Sequence, residues 1–108
     1  MLTKSIIAAK TEIGYQLIYC HFQGYDNFEG IGPTLSKFHT TQEAVERLLK
    51  TGNIAELIEG QAVIHNKAKW GKCLQIVSTF EEVRTVSKNH GAEYLYLFID
   101  GKWVTYYS

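Results

Sequence analysis

Tyr19-Cys20-His21-Phe22-Gln23-Gly24-Tyr25 and, a few residues on, Gly30-Ile31-Gly32-Pro33-Thr34-Leu35 concentrate the residue types that can hold a ligand. Glycines let a ligand approach the backbone, and proline suits a first helical position because its missing N–H has no intrahelical acceptor there. A helix starting at Pro33 leaves its first amides free for an anion, with the helix dipole adding partial positive charge. The Gly30, Ile31, Gly32 and Thr34 backbone, the Thr34 hydroxyl and Lys37 are therefore candidate phosphate donors. Gly24 permits close approach, Tyr25 can stack on a base, and His21 at a strand end can bond a phosphate or a sugar. The spacing matches neither the P-loop nor the dinucleotide fingerprint, and a glycine-rich turn plugged by aromatics is the competing reading.

Catalysis has thinner support. His21 could pair with Asp26 or Glu29, but strand alternation turns Cys20 to the opposite side from His21, so no nucleophile stands beside it. No catalytic residue is assigned. The four histidines, His21, His39, His65 and His90, lie far apart without helical ligand spacing, and neither Cys20 nor Cys73 belongs to a CxxC pair; no metal and no cofactor is expected. His39 and His90 read as favourable cations at helix C-termini. Lys67, Lys69 and Lys72 around Trp70 read as a solvated basic loop.

These residues need elements to place them. Ser5 to Lys10 and Tyr15 to Phe22 are rich in β-branched and aromatic residues and flank a glycine-bearing link, which predicts an antiparallel hairpin. Its second strand turns Tyr15, Leu17, Tyr19 and His21 to one face, and Gln16, Ile18, Cys20 and Phe22 to the other. Thr40-Thr41-Gln42-Glu43 reads as a capping box, with the Thr40 hydroxyl serving the Glu43 amide, that opens a helix with the stripe Ala44, Val45, Leu48 and Leu49, ended by Gly52. Asn53 predicts a further helical turn carrying Leu57 and Ile58. Leu74 to Val77 reads as a strand, followed by a helix capped by Ser78 or Thr79 that presents Phe80, Val83 and Val86 and ends at Gly91.

Asp100-Gly101 between two apolar runs predicts a hairpin with a type I′ turn, placing Phe98 opposite Trp103, Leu97 opposite Val104 and Tyr96 opposite Thr105. One face of that hairpin carries Tyr94, Tyr96, Phe98, Trp103 and Tyr107, the other Leu95, Leu97, Ile99, Val104 and Tyr106. With helices covering the aliphatic side, the aromatic side must meet another layer of the core, a subunit or a ligand. The expected fold is α+β, a mainly antiparallel sheet from the N-terminal and Asp-Gly hairpins, with two to four short helices packed on one face.

A chain of 108 residues has room for one domain, residues 1–108. Eleven basic and eleven acidic residues cancel without a charge run, so generic nucleic-acid binding is not expected. The apolar centre of Leu2 to Lys10 is too brief for a signal peptide or a membrane span, which predicts a cytoplasmic protein away from membranes.

The pattern resembles a family of small proteins found mostly in phages and prophages. Thr3-Lys4-Ser5 stands where that family has a Thr-Arg-Ser strand, and Tyr19 to Tyr25 where it has Tyr-Cys-His-Trp-Asp-Gly-Tyr. Gly30-Ile31-Gly32, Gly52-Asn53-Ile54, Tyr96-Leu97-Phe98 and Gly101-Lys102-Trp103 match further motifs, whereas Gln61 to Val77 does not. Phe22 and Gln23 depart from the pattern, and Gln23 removes the acid that would have partnered His21; binding survives that change more easily than catalysis. The resemblance implies a non-enzymatic counter-defence sponge for a nucleotide signalling molecule in the host cytoplasm; a homo-oligomer is expected on separate grounds, because a hairpin apolar on both faces in so short a chain can be covered by a symmetry mate. A protein-binding inhibitor of a host enzyme using Tyr94 to Tyr107, and a small nucleotide hydrolase using His21, are the rival readings.

Overall fold

A computed structural model describes residues 4–20, 31–50, 56–58, 61–63 and 75–107. It is an α+β fold built on a five-stranded sheet of order β5-β2-β1-β6-β7. The strands are β1 (Ser5–Thr11), β2 (Gly14–Cys20), β5 (Gln75–Val77), β6 (Tyr94–Ile99) and β7 (Lys102–Tyr107). All neighbours pair antiparallel except β1 and β6, which are parallel. That parallel seam joins the two hairpins that the sequence predicts.

The Asp-Gly hairpin has the predicted register, with Phe98 opposite Trp103, Leu97 opposite Val104 and Tyr96 opposite Thr105. Asp100 and Gly101 both have positive φ, 54° and 76°, as a type I′ turn requires. The first hairpin turns through Glu12-Ile13 and pairs Thr11 with Gly14, where the Thr11 hydroxyl donates to the Gly14 carbonyl at 2.9 Å.

β1 is central and buried on both faces: Ile6, Ile7, Ala8 and Ala9 are each at most 1% exposed. A strand wanted by two layers must be apolar throughout, and its two alanines leave room for Leu97 and Phe98, their partners on β6. One layer comprises α1 (Ile31–Phe38) and α2 (Gln42–Leu49), whose Leu35, Val45, Leu48 and Leu49 pack with Ile7, Ile18, Cys20, Tyr96 and Phe98. On the other face, α3 (Phe80–Asn89) buries Val83 among Ile6, Leu17, Tyr19, Leu95 and Leu97. The helices thus divide between both faces, where the sequence placed them on one. The reason is that every central strand is apolar on both sides.

The aromatic face of the hairpin is accordingly core. Tyr96 and Phe98 are 1% exposed, with Tyr94 and Trp103 packed partly buried beside them. Trp103 meets Phe98 edge-on at 5.1 Å and donates its indole N–H to the His39 carbonyl at 2.7 Å, fastening β7 to the α1–α2 connection. As an external interface, then, Tyr96 and Phe98 are unavailable, because α1 and α2 supply the covering layer. The side chain of Tyr107 lies outside the described residues.

Three local boundaries differ from expectation. α1 begins at Ile31, two residues before Pro33; proline is tolerated anywhere in the first turn, since none of those amides has an intrahelical acceptor. α2 is capped by Thr41, whose hydroxyl accepts from the Ala44 amide at 3.1 Å. Thr40 and Thr41 are chemically equivalent caps, and burial of Val45, Leu48 and Leu49 selects the register. Glu43 then bonds the exposed Arg47 at 3.2 Å, an interaction worth little in water. Leu57 and Ile58 belong not to a helical turn but to β3 (Glu56–Ile58), paired with β4 (Gln61–Val63). So short a helix would meet the nucleation cost with almost no propagation to offset it.

α3 agrees with its signals. Thr79 caps it, accepting from the Glu82 amide and donating to the Glu82 carboxylate, both at 3.2 Å. At its end, amides of Gly91 and Ala92 donate to the Lys88 and Ser87 carbonyls, a Schellman closure with Gly91 at φ 68°.

Candidate functional site

Three strands end together where β2 delivers the chain towards α1. Because β1 and β6 are parallel and β2 opposes them, the first residues of β1 and β6 meet the last of β2: Ser5 lies opposite Cys20 on one side and Tyr94 on the other. Directly paired residues share a face, so Ser5, Cys20 and Tyr94 form a row on the side covered by α1 and α2. Leu35 and Cys20 belong to the same core cluster. β2 therefore ends in this row, and α1 packs over the same face.

Ser5 is completely buried, and its hydroxyl has no hydrogen-bond partner among the described residues. Leaving a buried hydroxyl unmatched costs about 1–3 kcal/mol, so it is an anomaly. Beside it stands Tyr94, half-buried and stacked parallel on Tyr96 with centroids 6.0 Å apart and planes at 11°. Cys20 is a buried thiol outside any disulfide.

On the opposite face of the same sheet end, Tyr19 stacks on His90 at 4.8 Å and 21°. Burial first, and the nearby Lys4 ammonium second, lower the His90 pKa. His90 is thus biased towards the neutral ring, not the helix-end cation that the sequence suggested. Burial, reinforced by Cys20, pushes the Tyr19 phenol up to about 12. Lys4 also ties the strand ends together, its carbonyl accepting from the Glu93 amide at 2.9 Å.

Of the predicted ligand residues, His21, Gly24, Tyr25 and Gly30 lie outside the described residues, as do Asp26 and Glu29. Ile31, Gly32 and Thr34 fall in the first turn of α1. Lys37 sits in its last turn, about 9 Å along the axis from Ile31, exposed and over the Phe38 ring at 5.3 Å; it does not share the first turn's free amides. His65, Lys67, Lys69, Trp70, Lys72 and Cys73 are likewise outside the described residues. Among those described, no group of three or more His, Cys, Asp or Glu converges, and no helix is long and apolar enough to cross a membrane.

The sequence placed Lys4 and Ser5 only in a strand motif and gave them no ligand role, and it did not pair Tyr19 with His90. The available signal was Ser5 itself, a hydroxyl opening a strand whose next four residues, Ile6-Ile7-Ala8-Ala9, are apolar on both faces. At the far end of the sheet a wide groove runs between Lys10, Glu12, Gln16, Gln42 and Glu46. There the Gln42 amide donates to the Lys10 carbonyl at 3.1 Å and to Glu46 at 2.8 Å, which pins α2 to the first hairpin. Comparison with family models, curated proteins and solved structures finds no match for this chain.

Proposed function

We propose that this protein is a non-enzymatic binder of a nucleotide or nucleotide-derived signalling molecule, held where β2 gives way to α1. The observation that carries this reading is the buried, unmatched Ser5 hydroxyl. A hydroxyl both donates and accepts, so it suits a sugar hydroxyl, a phosphate oxygen or a base edge equally. Tyr94 beside it offers an aromatic wall. The first-turn amides of α1 return over this face, and the resemblance to phage proteins supplies the setting: sequestration of a host immune signal in the cytoplasm.

The test is a thermal-shift panel of cyclic and ADP-ribose-derived nucleotides, followed by heat denaturation and chromatography of the released compound. Stabilisation with recovery of intact nucleotide supports the reading. Absence of any shift across the panel overturns it, and recovery of an altered compound replaces it with the hydrolase.

A further inference from the structure

We propose that β7 pairs antiparallel with β7 of a second copy of this chain, joining two five-stranded sheets into one across a two-fold axis at Thr105. The inference does not depend on the nucleotide reading.

Backbone geometry decides which groups β7 turns outward. In a two-residue type I′ hairpin the residues flanking the turn, Ile99 and Lys102, form a hydrogen-bonded pair, and such pairs alternate along the ladder. With the observed register, Lys102, Val104 and Tyr106 direct their N–H and C=O groups at β6. Trp103, Thr105 and Tyr107 direct theirs away from it. Among the described residues no strand lies outside β7 and no further backbone hydrogen bond reaches it.

Edge strands are ordinarily blunted by proline, a bulge, shortness or inward charge. β7 has none of these: it is six residues, Lys-Trp-Val-Thr-Tyr-Tyr, continuously paired to β6, with its only charge at the first position. A second copy fits this edge because a register centred on residue 105 sets apolar and aromatic residues of β7 against one another and keeps its one charge at the rim. With the axis at Thr105, Thr105 meets Thr105, Trp103 meets Tyr107 and Val104 meets Tyr106. All three outward residues of each copy are then used, making about six main-chain hydrogen bonds.

Val104 opposite Tyr106 is a β-branched and aromatic pair, a favourable cross-strand combination. Val104 is 37% exposed and Tyr106 half-buried, so that pair gains burial on association. The two Lys102 ammonium groups fall about 20 Å apart, beyond the roughly 8 Å screening length at physiological salt. No like-charge contact opposes closure, and the two-fold leaves no new edge to extend.

Sedimentation of the whole protein over a range of concentrations tests this. The wild type is expected at twice 12.3 kDa. Thr105→Pro removes an outward N–H, a position where an edge strand tolerates proline, and is expected at 12.3 kDa with a cooperative melt retained. Val104→Pro removes an inward N–H and is expected to lower the melting temperature instead. Should Thr105→Pro not fold, Thr105→Lys sets two ammonium groups opposite each other at the axis and is expected to be monomeric at low salt. A wild type that stays monomeric at sub-millimolar concentration overturns the proposal, as does either Thr105 variant sedimenting as the wild type does.

Discussion

Replacing Ser5 by alanine has opposite expected effects on the empty and the liganded protein. Without ligand, the Ser5 hydroxyl is buried with no partner among the described residues, and deleting it relieves a desolvation penalty of about 1–3 kcal/mol. The lost oxygen leaves little space, and alanine is already accommodated further along the same strand at Ala8 and Ala9. At about 4–8 °C per kcal/mol for a domain of this size, Ser5→Ala should melt at least several degrees above the wild type in ligand-free protein. With nucleotide bound the hydroxyl has its partner, so alanine forfeits that hydrogen bond, about 0.5–1.5 kcal/mol, as well as the relief gained in the free protein, and binding weakens by about tenfold or more. Differential scanning calorimetry reads the first effect and titration calorimetry the second. A ligand-free Ser5→Ala protein that melts below the wild type would refute the reasoning, because it would mean that the hydroxyl is already satisfied.

Two further outcomes follow from the geometry. Gly14 has φ +123°, and a Cβ there would lie 2.6 Å from the Val77 carbonyl oxygen, so Gly14→Ala carries both backbone strain and a clash with β5. A loss of about 2 kcal/mol or more is expected by urea denaturation; an unchanged midpoint would show that β5 yields freely. His90 has a folded pKa below its ordinary 6.5, so the unfolded chain binds the proton more readily. Stability is then full above the unfolded pKa and falls as pH drops from about 6.5 through the folded value. His90→Gln should flatten that slope in pH-dependent melts, and an unchanged slope would assign the acid sensitivity elsewhere.

Local chemistry was legible where it is self-sufficient. Asp100-Gly101 dictates its own turn, because few residues accept two successive positive φ angles, and the turn in turn sets the register of β6 and β7. Thr79 with Glu82, and Gly91 after α3, likewise satisfy helix-end groups within a few residues of themselves. Where two local answers were equal, as for Thr40 and Thr41, packing of Val45, Leu48 and Leu49 chose. Leu57 and Ile58 look alike to a helix and a strand, and pairing with Gln61 to Val63 decided between them.

What no stretch of sequence states is who covers whom. The α+β character, the two hairpins and the alternation separating Cys20 from its neighbours follow from residue types at short range. The parallel pairing of β1 with β6 joins segments some ninety residues apart, and periodicity carries no information about a partner at that separation. That pairing sandwiches the sheet between helices, turns the aromatic face of the second hairpin into core, and sets Ser5 beside Cys20 and Tyr94. A hydroxyl unremarkable in the sequence became a buried, unmatched group only when three strand ends met around it.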